Sequence, residues 1–295
     1  MGQAETAAQA VGMVHADIPP RAATFLAEQP MVVIAAADDN GRIWVSPLIG
    51  RPGFARADNP GTVSIEALPV SDDPLAGALR SGSCRVGLLI VQPQRRRRMR
   101  VNGIARPTGD GICVHVEQAY SNCARYISCR HIEQVVENHG DRRPGPVRRS
   151  AVLDGRQRQA IGTTDTLFVG SADEQGNADA SHRGGNPGFI EVLAPDRLRW
   201  PDYHGNAMFG TLGNIYTNPE CGLLVFDWQT GTTLQLTGRA KLIWDEANST
   251  PEAQCWIEFA ITEVIENDSI SPLRWGAAEL SPANPAVPST IWTPS

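Results

Sequence analysis

The most constraining feature of this chain is an internal duplication. Shifted by 135 residues, the sequence matches its own second half without a gap from about residue 31 to residue 106. The aligned pairs share glycines at Gly50 and Gly185, Gly87 and Gly222, and Gly103 and Gly238. A unit this long exceeds a solenoid repeat and is typical of two copies of one domain. Because soluble proteins pair mostly about two-fold axes, we expect the copies to pack as a pseudo-dimer with clefts between them.

Each copy has the pattern of antiparallel β-structure. In copy one, the apolar residues 31–37 precede a turn sequence at residues 38–41, and the following residues alternate, which predicts a β-hairpin. Copy two repeats this pattern over residues 166–181. About six strands per copy, with short helices at residues 75–80 and 207–216, predict a small closed barrel. We therefore expect a mainly β fold of the α+β class with short helices.

Changes in composition divide the chain into five expected segments. Residues 140–149 are rich in proline, glycine and arginine, as in a linker, and prolines accumulate after residue 269. The expected boundaries are an N-terminal extension at residues 1–24, a first barrel domain at 25–139, a linker at 140–152, a second barrel domain at 153–268 and a proline-rich tail at 269–295.

Charge and cysteine usage narrow the possible functions. The net charge of −6 argues against nucleic acid as a partner, and the arginine run at residues 95–98 lies between apolar segments, as a surface turn would. The six cysteines form no CxxC pair, and Cys123, Cys129 and His131 are too weak a grouping to predict a metal site. The sequence contains no apolar run of membrane length and no secretory signal pattern, so we expect a cytoplasmic protein with no membrane partner.

The richest candidate for a binding surface is a predicted strand end in copy two, where Ser181, His182 and Arg183 precede two glycines. These side chains offer hydrogen bonds and positive charge to an anionic group that carries a flat ring. The alternative is a polar strand end that only starts a turn. Copy one has Pro47 and Leu48 where copy two has His182 and Arg183. Because the needs of the fold alone would leave similar residues in both copies, this difference favours a ligand role in copy two.

Two further segments carry polar groups. Asn206 is expected to cap the helix at residues 207–216, whose first N–H groups could hold a phosphate, and a plain helix cap is the alternative. Residues 122–130 are expected to form a short helix whose arginine and tyrosine reach a neighbouring domain. The absence of GxSxG, HExxH, Walker and Rossmann motifs argues against hydrolases, zinc proteases, NTPases and dinucleotide enzymes.

At these segments the chain resembles the pyridoxamine 5'-phosphate oxidase-like, FMN-binding split-barrel superfamily, and in particular its tandem-domain members. In copy two, the likeness is carried by DASHRGGNPGF at residues 179–189, by residues 200–228 and by LQLTGRA at residues 234–240. In copy one and the tail, it is carried by RRRRMRVNG at residues 95–103, VEQAYSNCARYISCR at residues 116–130 and PLRW at residues 272–275.

The resemblance implies two tandem six-stranded split β-barrels packed as a pseudo-dimer, with FMN bound non-covalently in the groove between them. By position, the cofactor-binding residues of copy two would be Ser181, His182, Arg183, Asn206, Met208, Thr211, Asn214 and Gln235. Copy one and the tail would close the groove with Arg98, Arg100, Asn122, Arg125, Tyr126, Arg274 and Trp275. The chain departs from the true oxidases, whose Ser-Arg-Lys phosphate clamp is replaced here by Phe209, Gly210 and Thr211. Pyridoxamine phosphate is therefore not the expected substrate.

The leading functional hypothesis is an FMN-dependent oxidoreductase that acts on a small molecule. His182 is the candidate catalytic acid–base residue, and a nicotinamide or a reductase is the expected electron donor. Two alternatives stay open: a non-catalytic flavin-binding or electron-carrier protein, and a haem-binding or haem-degrading protein. Because copy one lacks the His-Arg pair, one good cofactor site is expected, in a monomeric pseudo-dimer or a homodimer.

Overall fold

The computed structural model describes residues 14–136, 147–205, 208–244, 253–268 and 270–287, and this part of the chain is mostly antiparallel β-structure. Its helices are α1 (Pro20–Ala27), α2 (Ala76–Ser81), α3 (Gly155–Thr163) and α4 (Gly210–Thr217). The strands up to residue 136 are β1 (Met31–Ala37), β2 (Ile43–Ile49), β3 (Ala55–Asn59), β4 (Thr62–Ile65), β5 (Cys84–Gln92), β6 (Arg97–Pro107), β7 (Ile112–Ser121) and β8 (Ile132–Val135). The later strands are β9 (Arg148–Ser150), β10 (Thr166–Ala172), β11 (Ala178–Gly184), β12 (Glu191–Ala194), β13 (Arg197–Tyr203), β14 (Glu220–Phe226), β15 (Thr233–Ile243), β16 (Ala253–Asn267) and β17 (Leu273–Trp275).

The two repeats have the same sheet topology. Across the described residues, the first sheet has the strand order β2-β1-β5-β6-β7-β4-β3, and the second has the order β11-β10-β14-β15-β16-β13-β12. Each strand of the first sheet therefore corresponds to the strand at the same position in the second sheet. The duplication in the sequence is a duplication of the fold.

The sheets are antiparallel but do not close, so the expectation of a closed six-stranded barrel is wrong in this respect. In the described residues each order holds seven strands, and its two end strands do not pair with each other. Instead, β2 packs against β14 and β15 of the second repeat, and β11 packs against β5 and β6 of the first. The edge strand of each repeat is thus covered by the other repeat, which protects it without closure. The outcome is a pair of split barrels.

Each repeat buries its own core, and a third apolar cluster lies between them. Trp44 and Trp200, both fully buried, belong to the cores of the first and second repeat. The third cluster joins residues of both repeats with the tail, for example Val33, Phe168 and Trp275. Because burial of apolar area is the main driving force for association, this shared cluster fixes the two barrels against each other.

Two equivalent glycines show that the repeats are related by a pseudo-two-fold axis. A Cβ atom added to Gly87 would lie 2.5 Å from the Cα of Asp179. One added to Gly222 would lie 2.6 Å from the carbonyl oxygen of Ile43 and 2.9 Å from the Cα of Trp44. Gly87 and Gly222 are separated by the repeat offset, as are Trp44 and Asp179. The two backbones therefore cross closely in the same way on both sides of the interface.

The segments outside the repeats add to the two sheets. Strand β9 pairs with β16 through Arg149 and Ile265, so part of the expected linker continues the second sheet. In the tail, β17 pairs with β8 of the first repeat. In the described part of the chain, no helix has the length and apolar character needed to cross a membrane.

Two helix predictions need correction. The helix expected at residues 207–216 begins at Gly210, with Phe209 at its N-cap and no side-chain cap, while Asn206 lies outside the described residues. The helix expected at residues 122–130 does not form, because this segment makes its backbone hydrogen bonds elsewhere. The Cys129 N–H donates to the carbonyl of Glu279 in the tail at 2.8 Å. The pairing with the tail replaces the hydrogen bonds of a helix.

Candidate functional site

Strands β6 and β11 bring charged side chains together between the repeats. Arg98 and Arg100 lie two residues apart on β6 and therefore point to the same face of the first sheet. Opposite them, β11 presents Asp179, His182 and Arg183 from the edge of the second sheet. We call this group of five residues the arginine junction.

Two of the three arginines in the arginine junction are paired with carboxylates. Arg100 Nη1 lies 2.7 Å from Asp179 Oδ2, and both side chains are buried. Arg183 forms an ion pair with Asp202 on β13. The pairs hold the strand ends in place, since removal of either arginine would leave a buried carboxylate, Asp179 or Asp202, without its partner.

Arg98 has no carboxylate partner among the described residues. Its Nη1 lies 2.9 Å from His182 Nδ1 and 3.2 Å from the His182 carbonyl, and its Nε atom is buried without a hydrogen-bond partner. Burial, and then the charges of Arg100 and Arg183, lower the pKa of Arg98 to about 9. The guanidinium is still charged at neutral pH. The arginine junction therefore carries a positive charge that an anion could neutralise.

His182 is held as a neutral imidazole. Its side chain is buried, and burial together with the charges of Arg98 and Arg183 keeps the pKa of His182 well below its ordinary value of 6.5. Because Arg98 can only donate, His182 Nδ1 must accept the hydrogen bond, and the ring proton is on Nε2. The Nδ1 atom is thus occupied, and only the Nε2–H side of the ring remains for a ligand.

Asp179 organises a network that sequence reasoning missed. Besides Arg100, it accepts hydrogen bonds from Asn102 Nδ2 at 3.3 Å, Tyr120 Oη at 3.2 Å and Thr211 Oγ1 at 3.3 Å. Burial and the neighbouring Asp179 carboxylate raise the pKa of Tyr120 to about 12, so the phenol stays protonated and donates. The period-two spacing of Arg98, Arg100 and Asn102 on one strand face was the signal in the sequence that could have pointed to this network.

A turn at Arg125 and Tyr126 covers the arginine junction. Tyr126 has a positive φ of 68°, which is uncommon for a residue other than glycine. Its hydroxyl donates to the His204 carbonyl at 2.7 Å, and its ring lies 5.3 Å from that of Tyr203. Gly184 allows this approach, because a Cβ atom there would lie 1.8 Å from the Tyr126 carbonyl oxygen. A segment of the first repeat thus caps the end of β11 in the second.

The space left at the arginine junction is small. The cavity measures about 50 Å³ and is lined by side chains from both repeats. Sites for drug-sized ligands measure roughly 300–1,000 Å³, and one water molecule takes roughly 30 Å³. The cavity accommodates a small anionic group but not a tricyclic ring.

The structure brings about half of the sequence-predicted site residues together at this cavity. The predicted residues that line it are Arg98, Arg100, Asn122, Tyr126, His182, Arg183 and Met208. Thr211 joins them through Asp179, and Asn122 Nδ2 lies 3.5 Å from Met208 Sδ. Arg125 is exposed beside Tyr126.

Other predicted residues lie elsewhere. The Ser181 hydroxyl is buried 3.4 Å from the carbonyl of Val169, and Asn214 donates to Ser171 at 3.1 Å. Arg274 and Trp275 lie on β17, where Trp275 is buried against Trp228.

Gln235 belongs to the opposite junction between the repeats. Its amide donates to the Val45 carbonyl, to Ser46 Oγ and to Asp73 Oδ2, each at 2.9 Å. Gln235 is the repeat equivalent of Arg100. The pseudo-two-fold axis therefore places it across the interface from the arginine junction, and not beside the other predicted cofactor-binding residues.

Residues 153–265 match the family model described as pyridoxamine 5'-phosphate oxidase. The second repeat belongs to the pyridoxamine 5'-phosphate oxidase-like family. The first repeat has the same strand order as this oxidase-like repeat and is its duplicate in sequence register. No curated protein matches the chain in sequence.

Several solved structures are similar to part of this chain at low identity. One is a protein from Clostridium acetobutylicum related to general stress protein 26, of the pyridoxinephosphate oxidase family, with 13% identity and a TM-score of 0.27 over 36% of this chain and 80% of that chain. Another is the FAD binding protein from Mycobacterium smegmatis, with 12% identity and a TM-score of 0.28 over 42% of this chain and 98% of that chain. A third is HutZ, the heme storage protein from Vibrio cholerae, with 9% identity and a TM-score of 0.28 over 45% of this chain and 99% of that chain.

Proposed function

We propose that this oxidase-like protein binds FMN at one of its two junctions, with the phosphate at the arginine junction. The observation that carries the proposal is Arg98, a half-buried cation with a buried, unpaired Nε atom and no carboxylate partner among the described residues. A charged group in such a position is costly unless it is paired. A phosphate would supply the missing partner through charge-assisted hydrogen bonds.

The residues present fit the phosphate of FMN better than they fit its ring. The cavity of about 50 Å³ is close to the size of a small anion. The ring would require the covering turn at Tyr126 to move away from Tyr203 and His204. Tyr126 joins the second repeat through the hydrogen bond to His204 and the ring contact with Tyr203. Displacement of this turn is the conformational change that the proposal requires.

The chain's own residues would bind, orient and shield the cofactor. Arg98, aligned by His182, would hold the phosphate, while the Arg100–Asp179 and Arg183–Asp202 pairs keep the two strands in register. Tyr126 would limit the access of water. When bound, FMN supplies hydride or single-electron transfer, and the protein supplies position and electrostatics. The finer proposal is an oxidoreductase that acts on a small molecule, with His182 as a positioning residue.

A titration with FMN and with riboflavin tests the phosphate contact. We expect FMN to bind more tightly than riboflavin, and Arg98→Gln to weaken FMN by about 10- to 100-fold, because hydrogen bonds to charged groups contribute about 1.5–3 kcal/mol. Riboflavin binding should change little in this variant. Flavin fluorescence quenching gives both dissociation constants.

The repeat supplies a matched control for this titration. Thr233 is the equivalent of Arg98 in the second repeat, and it is fully buried at the opposite junction. Thr233→Val should leave FMN binding unchanged. Equal affinities for FMN and riboflavin, or an Arg98→Gln variant that binds FMN normally, would contradict the proposal.

The absorption spectrum and a turnover assay separate the alternatives. Flavin bands in the purified protein support a flavoprotein, whereas a Soret band indicates a haem protein. Steady-state oxidation of a reduced nicotinamide by the flavin-loaded protein distinguishes an enzyme from an electron carrier. A flavin-loaded protein that reacts with no reduced nicotinamide would leave the binding proposal intact and remove the oxidoreductase proposal.

A further inference from the structure

A larger cavity lies on the flank of the first repeat, away from the arginine junction. It measures about 810 Å³, within the range of small-molecule sites. It extends under the β8–β17 ribbon, and its inner end reaches Asp73, next to α2. We call it the Asp73 cavity. Its walls are largely apolar, with Pro47, Ile49, Leu68 and Leu273 among the lining residues.

Asp73 is a buried carboxyl group with hydrogen bonds but no ion pair. Only 5% of the residue is exposed. It accepts hydrogen bonds from Ser46 Oγ at 2.7 Å, the Leu75 N–H at 2.9 Å and Gln235 Nε2 at 2.9 Å. No arginine, lysine or histidine of the described residues lies within ion-pair distance of it. The carboxyl is therefore oriented by neutral donors, and the nearest cation acting on it is Arg149, which binds the Asp72 carbonyl at 3.2 Å and makes no ion pair with Asp73.

The other polar groups that line the cavity also favour a cationic or hydrogen-donating ligand. Gln92 Oε1 and Gln94 Oε1 are buried and have no hydrogen-bond partner. Glu28 is exposed at the rim, where Arg51 is the one basic residue among the described lining residues. Buried acceptors without donors are rare in folded proteins. Both oxygens lie beneath the cavity surface, so they favour a cation there by electrostatics rather than by direct contact.

The two junctions have diverged in their polar side chains. Asp73 is the repeat equivalent of Met208, which lines the cavity at the arginine junction. Gln235, which donates to Asp73, is the equivalent of Arg100. The arginine junction therefore has Arg100 and Met208 at the positions where the opposite junction has Gln235 and Asp73. The same architecture presents cations on one side and a carboxyl group on the other.

We propose that the Asp73 cavity binds an apolar organic cation, a primary ammonium on a hydrocarbon or aromatic body. The ammonium would lie at the inner end, paired with Asp73, and the apolar body would lie against Pro47, Ile49 and Leu68. This site is separate from the FMN site and does not depend on it. The carboxyl provides specificity for the cation, and the walls provide most of the buried area.

A charge series of probes tests the proposal on the full chain. The probes are 2-phenylethylammonium, 2-phenylethanol and 3-phenylpropionate, which share a phenyl group and differ in charge, and calorimetric titration measures their dissociation constants. The ammonium should bind at least about tenfold more tightly than the alcohol, which corresponds to about 1.4 kcal/mol. The carboxylate should bind most weakly. Equal binding of the three probes, or no binding of the ammonium, would overturn the proposal.

Two variants locate the binding in the Asp73 cavity. Asp73→Asn should reduce ammonium binding to the level of the alcohol. Leu68→Trp narrows the apolar part of the cavity from a half-buried wall position, so it should weaken binding of all three probes. It tests the location if Asp73→Asn does not fold. Unchanged ammonium binding in a folded form of either variant would refute the assignment.

The Arg98→Gln variant separates this proposal from the FMN proposal. It should bind 2-phenylethylammonium as the wild type does, because Arg98 does not line the Asp73 cavity. If the wild-type protein binds the ammonium but not FMN, the Asp73 proposal stands and the FMN proposal is refuted. Loss of ammonium binding in a folded Arg98→Gln protein would refute the Asp73 site.

Discussion

Individual residue pairs at the repeat offset determine what each junction can bind. His182 faces Arg98 at the arginine junction, whereas its repeat equivalent, Pro47, lines the Asp73 cavity. The comparison of the copies predicted this difference from His182 and Arg183 alone. The family resemblance placed Arg98 and Arg100 on the other side of the same groove. The hydrogen bonds that join β6 to β11 were not predicted, because they link residues about 80 positions apart in the chain. No local pattern reports such a pairing.

The neutral state of His182 predicts a pH dependence of stability. Its pKa is well below 6.5 in the folded protein because of burial and the nearby arginines, while the unfolded chain titrates near 6.5. Below pH 6.5 the unfolded state therefore binds more protons, and this group lowers the free energy of unfolding by up to about 1.4 kcal/mol per pH unit. His182→Gln keeps an acceptor for Arg98 and should remove this part of the dependence.

Urea unfolding at pH 5 and pH 7 measures the effect as a difference between wild type and variant. The decrease in the free energy of unfolding from pH 7 to pH 5 should be smaller in His182→Gln than in the wild type. His115→Gln, at an exposed position on β7, should behave as the wild type. Parallel pH profiles for wild type and His182→Gln would show that the imidazole is charged in the folded protein.

At the scale of elements, local sequence specified the hairpins well. The apolar run and turn of copy one predicted β1 over its full length, Met31–Ala37, and the helix expected at residues 75–80 is α2, Ala76–Ser81. In both cases the residues that decide the structure are neighbours in the sequence: an alternating or apolar run that ends in turn residues. Positive φ angles at Gly41 and Gly176 in the two hairpin turns agree with this reading.

The segment at residues 122–130 shows where local information is insufficient. It has no proline or glycine to prevent a helix. Its conformation is set by the tail and by the second repeat: Cys129 pairs with Glu279, and Tyr126 binds the His204 carbonyl. Tertiary contacts of this kind override helix propensity, which amounts to less than about 1 kcal/mol per residue.

Gly184, at the end of β11, lies beneath this covering turn, and we expect substitutions there to lower stability. Its repeat equivalent is Ile49, a half-buried residue of the other junction. Gly184→Ala should displace the turn, since the new Cβ would lie 1.8 Å from the Tyr126 carbonyl oxygen. We expect a loss of about 1–3 kcal/mol in the free energy of unfolding and faster tryptic cleavage after Arg125.

The matched control for this substitution is Gly213→Ala in α4, where an added Cβ meets no atom within 4 Å. This change should be neutral or stabilising, because alanine favours the helix over glycine by roughly 0.5–1 kcal/mol. If Gly184→Ala left both stability and the cleavage rate at wild-type values, the turn would not be packed on β11 as described.

At the scale of the whole molecule, the duplication predicted the pseudo-dimer but not the open sheets. Counting strands favoured closure, because a closed barrel has no free edges. The chain instead covers β2 and β11 with the opposite repeat, an arrangement that depends on two close backbone crossings at Gly87 and Gly222. The aligned glycines were visible in the sequence, but their role became apparent only from the neighbouring repeat.

These two crossings predict paired effects of substitution. Gly87→Ala and Gly222→Ala should each lower the free energy of unfolding by about 1–3 kcal/mol, because the new methyl group would overlap the backbone of the other repeat. Gly109→Ala, where nothing lies within 4 Å, should have little effect. Chemical denaturation of the three variants measures this. If one substitution lowered stability strongly and the other had no effect, the two crossings would not contribute equally to the stability of the interface.

Both walls of the arginine junction belong to a single polypeptide, with β6 on one side and β11 on the other. Assembly of the pocket is therefore a unimolecular event. Dissociation by dilution, which limits the occupancy of sites shared by separate subunits, does not apply to it. Ligand affinity measured at nanomolar protein should equal that measured at micromolar protein.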